Sequence, residues 1–267
     1  MRSLRCFVAV SLLAYGLCAS GVLASTLVAE YSFGDSGNLA LDTSGNGNDA
    51  VVAGTVTQGT GPLGLSSGVF NGAGVIERLS DLSGFSEANG FSYALWADVP
   101  EIGGYQGLVS QDSGGCCVNR LMVLNTGAGP DVFVNAGAHY DVLTSTVTAY
   151  DTWEFLVLTA DNEAGNGGNA VAHVYLNGAL SDTIDLPYAL SNVDPLYTYL
   201  GAGEGGGPYR FNGALADVRI YQGALTSSEA ASLYNSYYGS TVPEPGTLLL
   251  LVGGLGAVLF SRARRRS

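Results

Sequence analysis

The feature that most limits what this chain can fold into is a repeating alternation along its middle. Between residues 25 and 240, short runs rich in Val, Tyr, Phe, Leu and Thr are separated by clusters of Gly, Asn, Asp and Ser. β-branched and aromatic runs bounded by turn formers read as strands. The pattern predicts strands over 27–33, 74–78, 90–99, 106–110, 119–124, 131–135, 153–160, 170–177, 197–201 and 213–221. Ten short strands require packed antiparallel sheets, so the expected fold is an all-β sandwich of two sheets. Asn177-Gly178, lying between the apolar runs 171–176 and 179–184, marks a hairpin because both residues tolerate positive φ.

A helix is expected over 226–237. Thr226 caps it and Glu229 completes a capping box, while Ala230, Leu233, Tyr234 and Tyr237 fall on one face at helical spacing. That stripe reads as a helix docking on a sheet and closing the domain, with an exposed Tyr serving as a sugar platform the alternative.

Composition fits this picture. Of 267 residues, 47% are hydrophobic and 12% charged, with 39 Gly, ten Arg and no Lys. Soluble domains carry about 25% charge, so a disordered polyampholyte is excluded and the surface is built from Gly, Ser, Thr, Asn and Tyr. Residues 25–242 contain 22 of the 23 acids but four Arg, a formal charge of −18. Nucleic-acid affinity comes mainly from cations neutralising phosphates, so nucleic acid is excluded as a partner. The excess carboxylates keep the protein soluble or bind divalent cations.

The two ends read as targeting segments. Residues 1–24 begin with Arg2 and Arg5, run through an apolar stretch and end with Val22 and Ala24 at the −3 and −1 positions, the layout of a secretory signal peptide. At the other end, residues 242–246 (Val-Pro-Glu-Pro-Gly) precede the uncharged stretch 247–260 and an Arg-rich end at 261–267. A helix over that stretch is about 21 Å long, short of the roughly 30 Å hydrocarbon core. Snorkelling Arg side chains extend it, and the positive-inside rule holds the C-terminus in the cytoplasm with the body facing outward. The tail, residues 241–267, resembles the PEP-CTERM sorting signal of Gram-negative bacteria that make exopolysaccharide. The resemblance rests on Pro243, Glu244 and Pro245, the short apolar helix and the terminal Arg cluster. It implies an exosortase as partner, a transient inner-membrane anchor, and delivery to the cell surface or extracellular matrix.

Cys6 and Cys18 leave with the signal peptide, so the mature body keeps the adjacent pair Cys116 and Cys117. In an oxidising exterior these close a vicinal disulfide, pair with another chain or stay reduced. Zinc is disfavoured, since His139 and His173 are the chain's whole imidazole supply.

A second resemblance covers almost the whole body. It is carried by residues 30–33 (Glu-Tyr-Ser-Phe), the loop 42–49 (Asp-Thr-Ser-Gly-Asn-Gly-Asn-Asp), 91–96 (Phe-Ser-Tyr-Ala-Leu-Trp), 174–178, 215–221 (Leu-Ala-Asp-Val-Arg-Ile-Tyr) and the closing segment 223–234. In that order they look like a laminin-G-like, concanavalin A-like domain spanning 25–240. The resemblance implies a two-sheet antiparallel jelly-roll sandwich of the kind that holds glycans, proteins or a calcium ion. The loop offers hard oxygens between glycines, the ligand chemistry of calcium, and the family's ion site carries over onto Asp42, Asn46, Asn48 and Asp217. The alternative is an Asx-turn loop whose side chains bond their own backbone.

A second candidate site combines residues 111–120 with 135–141. If 135–141 is extended, His139 and Asp141 share a face, and a hairpin from 119 to 135 brings Arg120 beside them. Arg120, Asn135, His139 and Asp141 are the planar polar groups that pair with sugar hydroxyls; the alternative is a solvated loop stiffened by the Cys pair.

Catalysis finds less support. The acid patterns of the fold class's glucanases are absent. Glu77 and Asp81 on one strand would stand roughly 13 Å apart, beyond the roughly 5–9.5 Å of glycosidase pairs. Asp182 and Asp185 would face opposite sides of a strand. Residues 64–68 (Gly-Leu-Ser-Ser-Gly) match a nucleophile elbow, yet no helical pattern follows them as the elbow requires. His173 reads as a strand residue. The expected function is non-catalytic binding of extracellular polysaccharide or cell-surface glycan, with calcium fixing the loop. The alternatives are a structural matrix component without a glycan ligand and a glycan hydrolase or lyase.

Overall fold

The computed structural model describes residues 25–101, 103–113, 117–125, 129–136, 142–190 and 195–238. Fifteen strands run in chain order: β1 (Thr26–Tyr31), β2 (Val51–Ala53), β3 (Val56–Thr60), β4 (Ser66–Asn71), β5 (Val75–Arg78), β6 (Phe91–Asp98), β7 (Gly104–Asp112), β8 (Cys117–Asn125), β9 (Pro130–Ala136), β10 (Val142–Val147), β11 (Trp153–Asn162), β12 (Ala170–Leu176), β13 (Ala179–Asp185), β14 (Tyr197–Leu200) and β15 (Asn212–Gln222). One helix, α1 (Ser227–Ser236), follows. The first sheet is ordered β13-β12-β11-β6-β15-β4-β3, with β1 also on β15, and the second β10-β9-β8-β7-β14-β5-β2. All ladder pairings are antiparallel, apart from an isolated parallel bridge between Val99 and Tyr150.

Alternation along the strands decides what lies between the sheets. Tyr93 and Leu95 of β6, Leu156 and Leu158 of β11, Leu121 and Val123 of β8, and Val132 and Val134 of β9 pack with Phe91, Phe211 and Ile220 into one large core. The opposite face of the first sheet carries a second apolar cluster of Trp96, Phe155, Val157 and Tyr175, against which α1 sets Ala230, Leu233, Tyr234 and Tyr237. Trp96 meets Tyr237 edge-on at 5.5 Å between ring centroids, and Phe155 meets it at 5.4 Å. Among the described residues no helix lies on the outer face of the second sheet.

The expected helix and its cap are in place. The Thr226 hydroxyl accepts the Glu229 N–H, and the Glu229 carboxylate accepts the Thr226 N–H. Asn177 and Gly178 form the β12–β13 hairpin with φ of 51° and 79°. The ten expected strands are present, and β13 is the second arm of the expected hairpin. Four others were missed: β2, β3 and β4, which are short or built largely of Gly and Ser, and β10. Ser66 and Ser67 lie in β4 and no helix follows them, so the elbow pattern is a strand segment.

Gly178 closes its turn beneath the helix, where an added Cβ would stand 2.9 Å from the Tyr234 side chain. Gly178→Ala is therefore expected to cost about 2 kcal/mol through strained φ and displacement of α1. Chemical denaturation measures it, and a loss near zero would show that the helix does not press on the turn.

Candidate functional site

The loop 42–49 is organised around one carboxylate. Asp42 Oδ1 accepts the N–H of Glu30 at 3.0 Å and of Ser44 at 2.9 Å, and Oδ2 accepts the Asn48 N–H at 2.8 Å. Asn48 is wholly buried: its Nδ2 donates to the Val28 and Ser83 carbonyls and its Oδ1 accepts the Ser83 N–H. Asn46 donates to the Leu27 and Val28 carbonyls. Burial pushes the Asp42 carboxyl up, but hydrogen bonds from Ser44, Glu30 and Asn48 outweigh it and hold the group below the usual carboxylate range. The side chains bond the backbone, as in the Asx-turn reading.

Asp217 belongs to a different constellation. It sits at φ 46° in a bulge of β15, where the register against β6 shifts between Ala216 and Arg219. Arg219 grips it in two-point fashion, Nε to Oδ1 and Nη2 to Oδ2, both at 2.9 Å. The Tyr237 hydroxyl of the segment closing α1 donates to Oδ2 at 2.6 Å, and Glu30 of β1 pairs with Arg219 Nε at 2.9 Å. Burial lowers the Arg219 pKa, but the Asp217 charge more than reverses it, so the guanidinium stays charged.

As placed, Asp42, Asn46, Asn48 and Asp217 do not fit a calcium cage. The Asp42 oxygens face the positive ends of three N–H dipoles, the Asn48 oxygen is occupied, and the Asp217 oxygens face a guanidinium. Among the described residues no group of three or more His, Cys, Asp or Glu is placed to hold a metal ion.

At the second candidate site the expected hairpin exists as β8 and β9, in register with Arg120 opposite Asn135 on the outer face of the second sheet. Both are buried, at 4% and 2% exposure, and Arg120 Nη1 lies 3.8 Å from the Met122 sulfur. They sit beneath the surface, where a sugar would not touch them without rearrangement. His139, Asp141 and Cys116 lie outside the described residues, as does the Cys117 side chain, although Cys117 opens β8 opposite Asp112.

The sequence reading missed what stands on that face. Tyr105 of β7 and Tyr209 of the loop before β15 are 43% and 40% exposed, and Tyr105 lies edge-on to Phe133 at 5.2 Å and to Tyr209 at 5.7 Å. Tyr209 gets there because residues 201–211 fold over the sheet: Gly107 N–H bonds the Tyr209 carbonyl and Ser110 Oγ bonds the Ala202 carbonyl. Gly107 permits that approach, since a Cβ there would come within 2.3 Å of Ala202 backbone atoms. Leu143 and Val147 of β10 extend the exposed apolar strip. Period-2 alternation places Tyr105 and Phe133 on one side; nothing local places Tyr209.

The family described as the concanavalin A-like lectin/glucanases superfamily matches residues 71–231, more than half of the chain. The chain belongs to that superfamily. A second match, the PEP-CTERM protein-sorting motif, covers 241–266, so this superfamily member carries a C-terminal sorting signal, which implies a secreted, exosortase-processed, surface-associated protein. Its residues Pro243, Glu244 and Pro245 lie outside the described residues, as do 1–24. Among the described residues no helix is long and apolar enough to cross a membrane. No curated protein matches the chain. Among solved structures, domain 4 of an extracellular arabinanase from Geobacillus stearothermophilus, in complex with arabinotriose, is similar with TM-score 0.60 and 23% identity over 79% of this chain and 98% of that one. The binding domain of Paraclostridial Mosquitocidal Protein 1 is similar with TM-score 0.59 and 20% identity, over 81% of this chain and 53% of that one. A pentraxin from Limulus polyphemus gives TM-score 0.53 at 11% identity, over 63% of this chain and 81% of that one. These likenesses show the fold.

Of the acids weighed for catalysis, Asp182 instead ties two strands: its carboxylate accepts the Ser145 N–H at 2.7 Å and the Thr183 N–H at 2.8 Å. His173 Nδ1 lies 3.0 Å from the Thr183 hydroxyl, a partner on the neighbouring strand.

Two outcomes follow for the loop. The thermal midpoint is expected to be the same in EDTA and in calcium, because an ion that binds the native state must raise it. Asp42→Ala, which strips three N–H groups of their acceptor, is expected to cost roughly 3 kcal/mol. With a depressed folded-state pKa, the Asp42 contribution is complete above the unfolded carboxylate range and disappears as pH falls through the folded value. A calcium-dependent rise that Asp42→Ala abolishes would restore the ion site.

Proposed function

We propose that this protein is a non-catalytic glycan-binding module of the cell surface or extracellular matrix, organised as a signal peptide (1–24), a laminin-G-like sandwich (25–240) and a sorting tail (241–267). The observation that carries the reading is the pair of exposed rings, Tyr105 and Tyr209, that stand with Phe133 on the outer face of the second sheet. Tyr rings offer a flat apolar surface with a polar tip, which suits the C–H face and hydroxyl rim of a sugar. Arg120 and Asn135 lie buried on the same face. The similarity to an arabinanase domain solved with arabinotriose supports a saccharide as ligand. In this reading the sorting motif delivers the body to an exosortase, which cuts near Pro243-Glu244-Pro245 and frees it from the inner membrane.

Tyr105→Ala and Tyr209→Ala are each expected to weaken binding to the responsive glycan of an array about tenfold, with arabinotriose as the first probe, since one aromatic contact is worth roughly 0.5–1.5 kcal/mol. Unchanged affinity in both variants would remove the face from the function. Separately, Pro243→Ala combined with Glu244→Ala is expected to leave full-length protein in the inner membrane. Fractionation and immunoblotting detect it, and unchanged release would exclude cutting at this motif.

A further inference from the structure

The outer face of the first sheet is only partly covered by α1. Beyond the helix lies a cleft of about 330 Å³ lined by Ser67, Asp98, Asp151, Trp153, Asn212 and Ala214, among others. Its size falls within the roughly 300–1,000 Å³ of small-molecule clefts. Register builds it: Trp153 of β11 pairs with Asp98 of β6, Asp98 with Ala214 of β15, and Ala214 with Val69 of β4. The small side chain of Ala214 leaves an open floor between the indole and carboxylate on one side and β4 on the other.

Two polar atoms here lack partners. Ser67 is fully buried, and neither its Oγ nor the buried Asp98 Oδ1 has a hydrogen bond among the described residues. Buried polar atoms are almost always paired, so these two mark an incomplete site. The charge pattern says what completes it. Asp98 and Asp151 repel one another, and burial together with the Asp151 charge holds the Asp98 carboxyl above the usual carboxylate range. No Arg, Lys or His lines the cleft, and the body around it carries −18.

We infer that this cleft binds a sugar residue bearing a free amine, as in a de-N-acetylated hexosamine polymer. The ammonium sits between Asp98 and Asp151 and relieves their repulsion. The C–H face of the ring lies against the Trp153 indole, and ring hydroxyls reach Ser67 and Asn212. A uronate would meet two carboxylates with no cation to offset them, and a neutral hexose would leave the charge pair uncompensated. This site is on the opposite sheet from Tyr105 and Tyr209 and does not rest on their role.

Isothermal titration of the full-length chain with a glucosamine trimer, its N-acetylated counterpart and a galacturonate trimer tests the assignment. The glucosamine trimer is expected to bind at least tenfold more tightly than the N-acetylated form, with no heat from the galacturonate. Asp98→Asn, Trp153→Ala and the exposed Asp151→Asn should each weaken it tenfold or more; Asp151→Asn keeps the test sound if either of the others fails to fold. Tyr105→Ala should leave it unchanged. Equal affinity for the amine and its acetylated form, no binding of the glucosamine trimer, or full binding by folded Asp151→Asn and Asp98→Asn would each overturn the inference. Loss in Tyr105→Ala alone would move the amine to the second sheet, overturning this site while leaving glycan binding intact.

Discussion

The architecture turns on the bulge at Asp217. β15 is the longest strand, and along one edge it changes partner: β4 pairs with its first residues and β1 with its last. A single strand feeding two neighbours needs a local kink and twist, which a bulge supplies. The αL conformation that this demands of a non-Gly residue is unfavourable and persists only when surrounded by compensating contacts. Arg219 supplies two of them and Tyr237 a third, and Glu30 shares the Arg219 Nε with Asp217. Removing one member would strand a buried charge, the costly way to break such a network. The entry strand, the central strand and the closing helix are thus held by one cluster of four side chains.

That cluster also explains why the two faces of the sandwich differ. Tyr237 is fixed over Asp217 with its ring 5.7 Å from the Arg219 guanidinium carbon, so α1 is committed to the middle of the first sheet and buries Trp96 and Phe155. The helix has ten residues, too few to cover that sheet from end to end. The Asp98 and Trp153 cleft is what the helix leaves uncovered. On the second sheet residues 201–211 cover one part of the outer face, while Tyr105 and Tyr209 stay exposed.

Most of the strands, the hairpin and the helix cap were legible in the sequence because each depends on neighbours within a few residues: alternation in 91–98, the positive-φ pair at 177–178, Thr226 with Glu229. β3 and β4 were not legible because Val-Thr-Gln-Gly-Thr and Ser-Ser-Gly-Val-Phe-Asn carry turn-forming residues, and only pairing with each other and with β15 makes them strands. The site residues divide in the same way. Asp42 and Asn48 were correctly singled out as a knot of oxygens, but whether those oxygens face a cation or N–H groups depends on Glu30 and Ser83, outside the loop. Asp217 reads as a ligand only through the family resemblance, and nothing in its sequence context reveals the bulge where Arg219 grips it. Ser67, Asp98 and Trp153 are brought together only by register across four strands, which no local pattern encodes.

The acidic balance of the body gains a more specific meaning once the arginines are placed. Arg219 is sealed against Asp217, Arg78 donates to the Asp49 and Asp81 carbonyls, Arg210 donates to the Gly207 carbonyl, and Arg120 is buried on the outer face of the second sheet. Arg219, Arg78 and Arg210 are therefore engaged by the protein's own backbone and carboxylates. A polyanion approaching this surface meets carboxylates in large excess over the guanidinium forks that would grip its phosphates, sulfates or uronates. Recognition falls instead to flat rings and hydrogen-bond acceptors, the two things that the Tyr105 face and the Trp153 cleft supply, and these favour polyhydroxylated ligands that are neutral or positively charged.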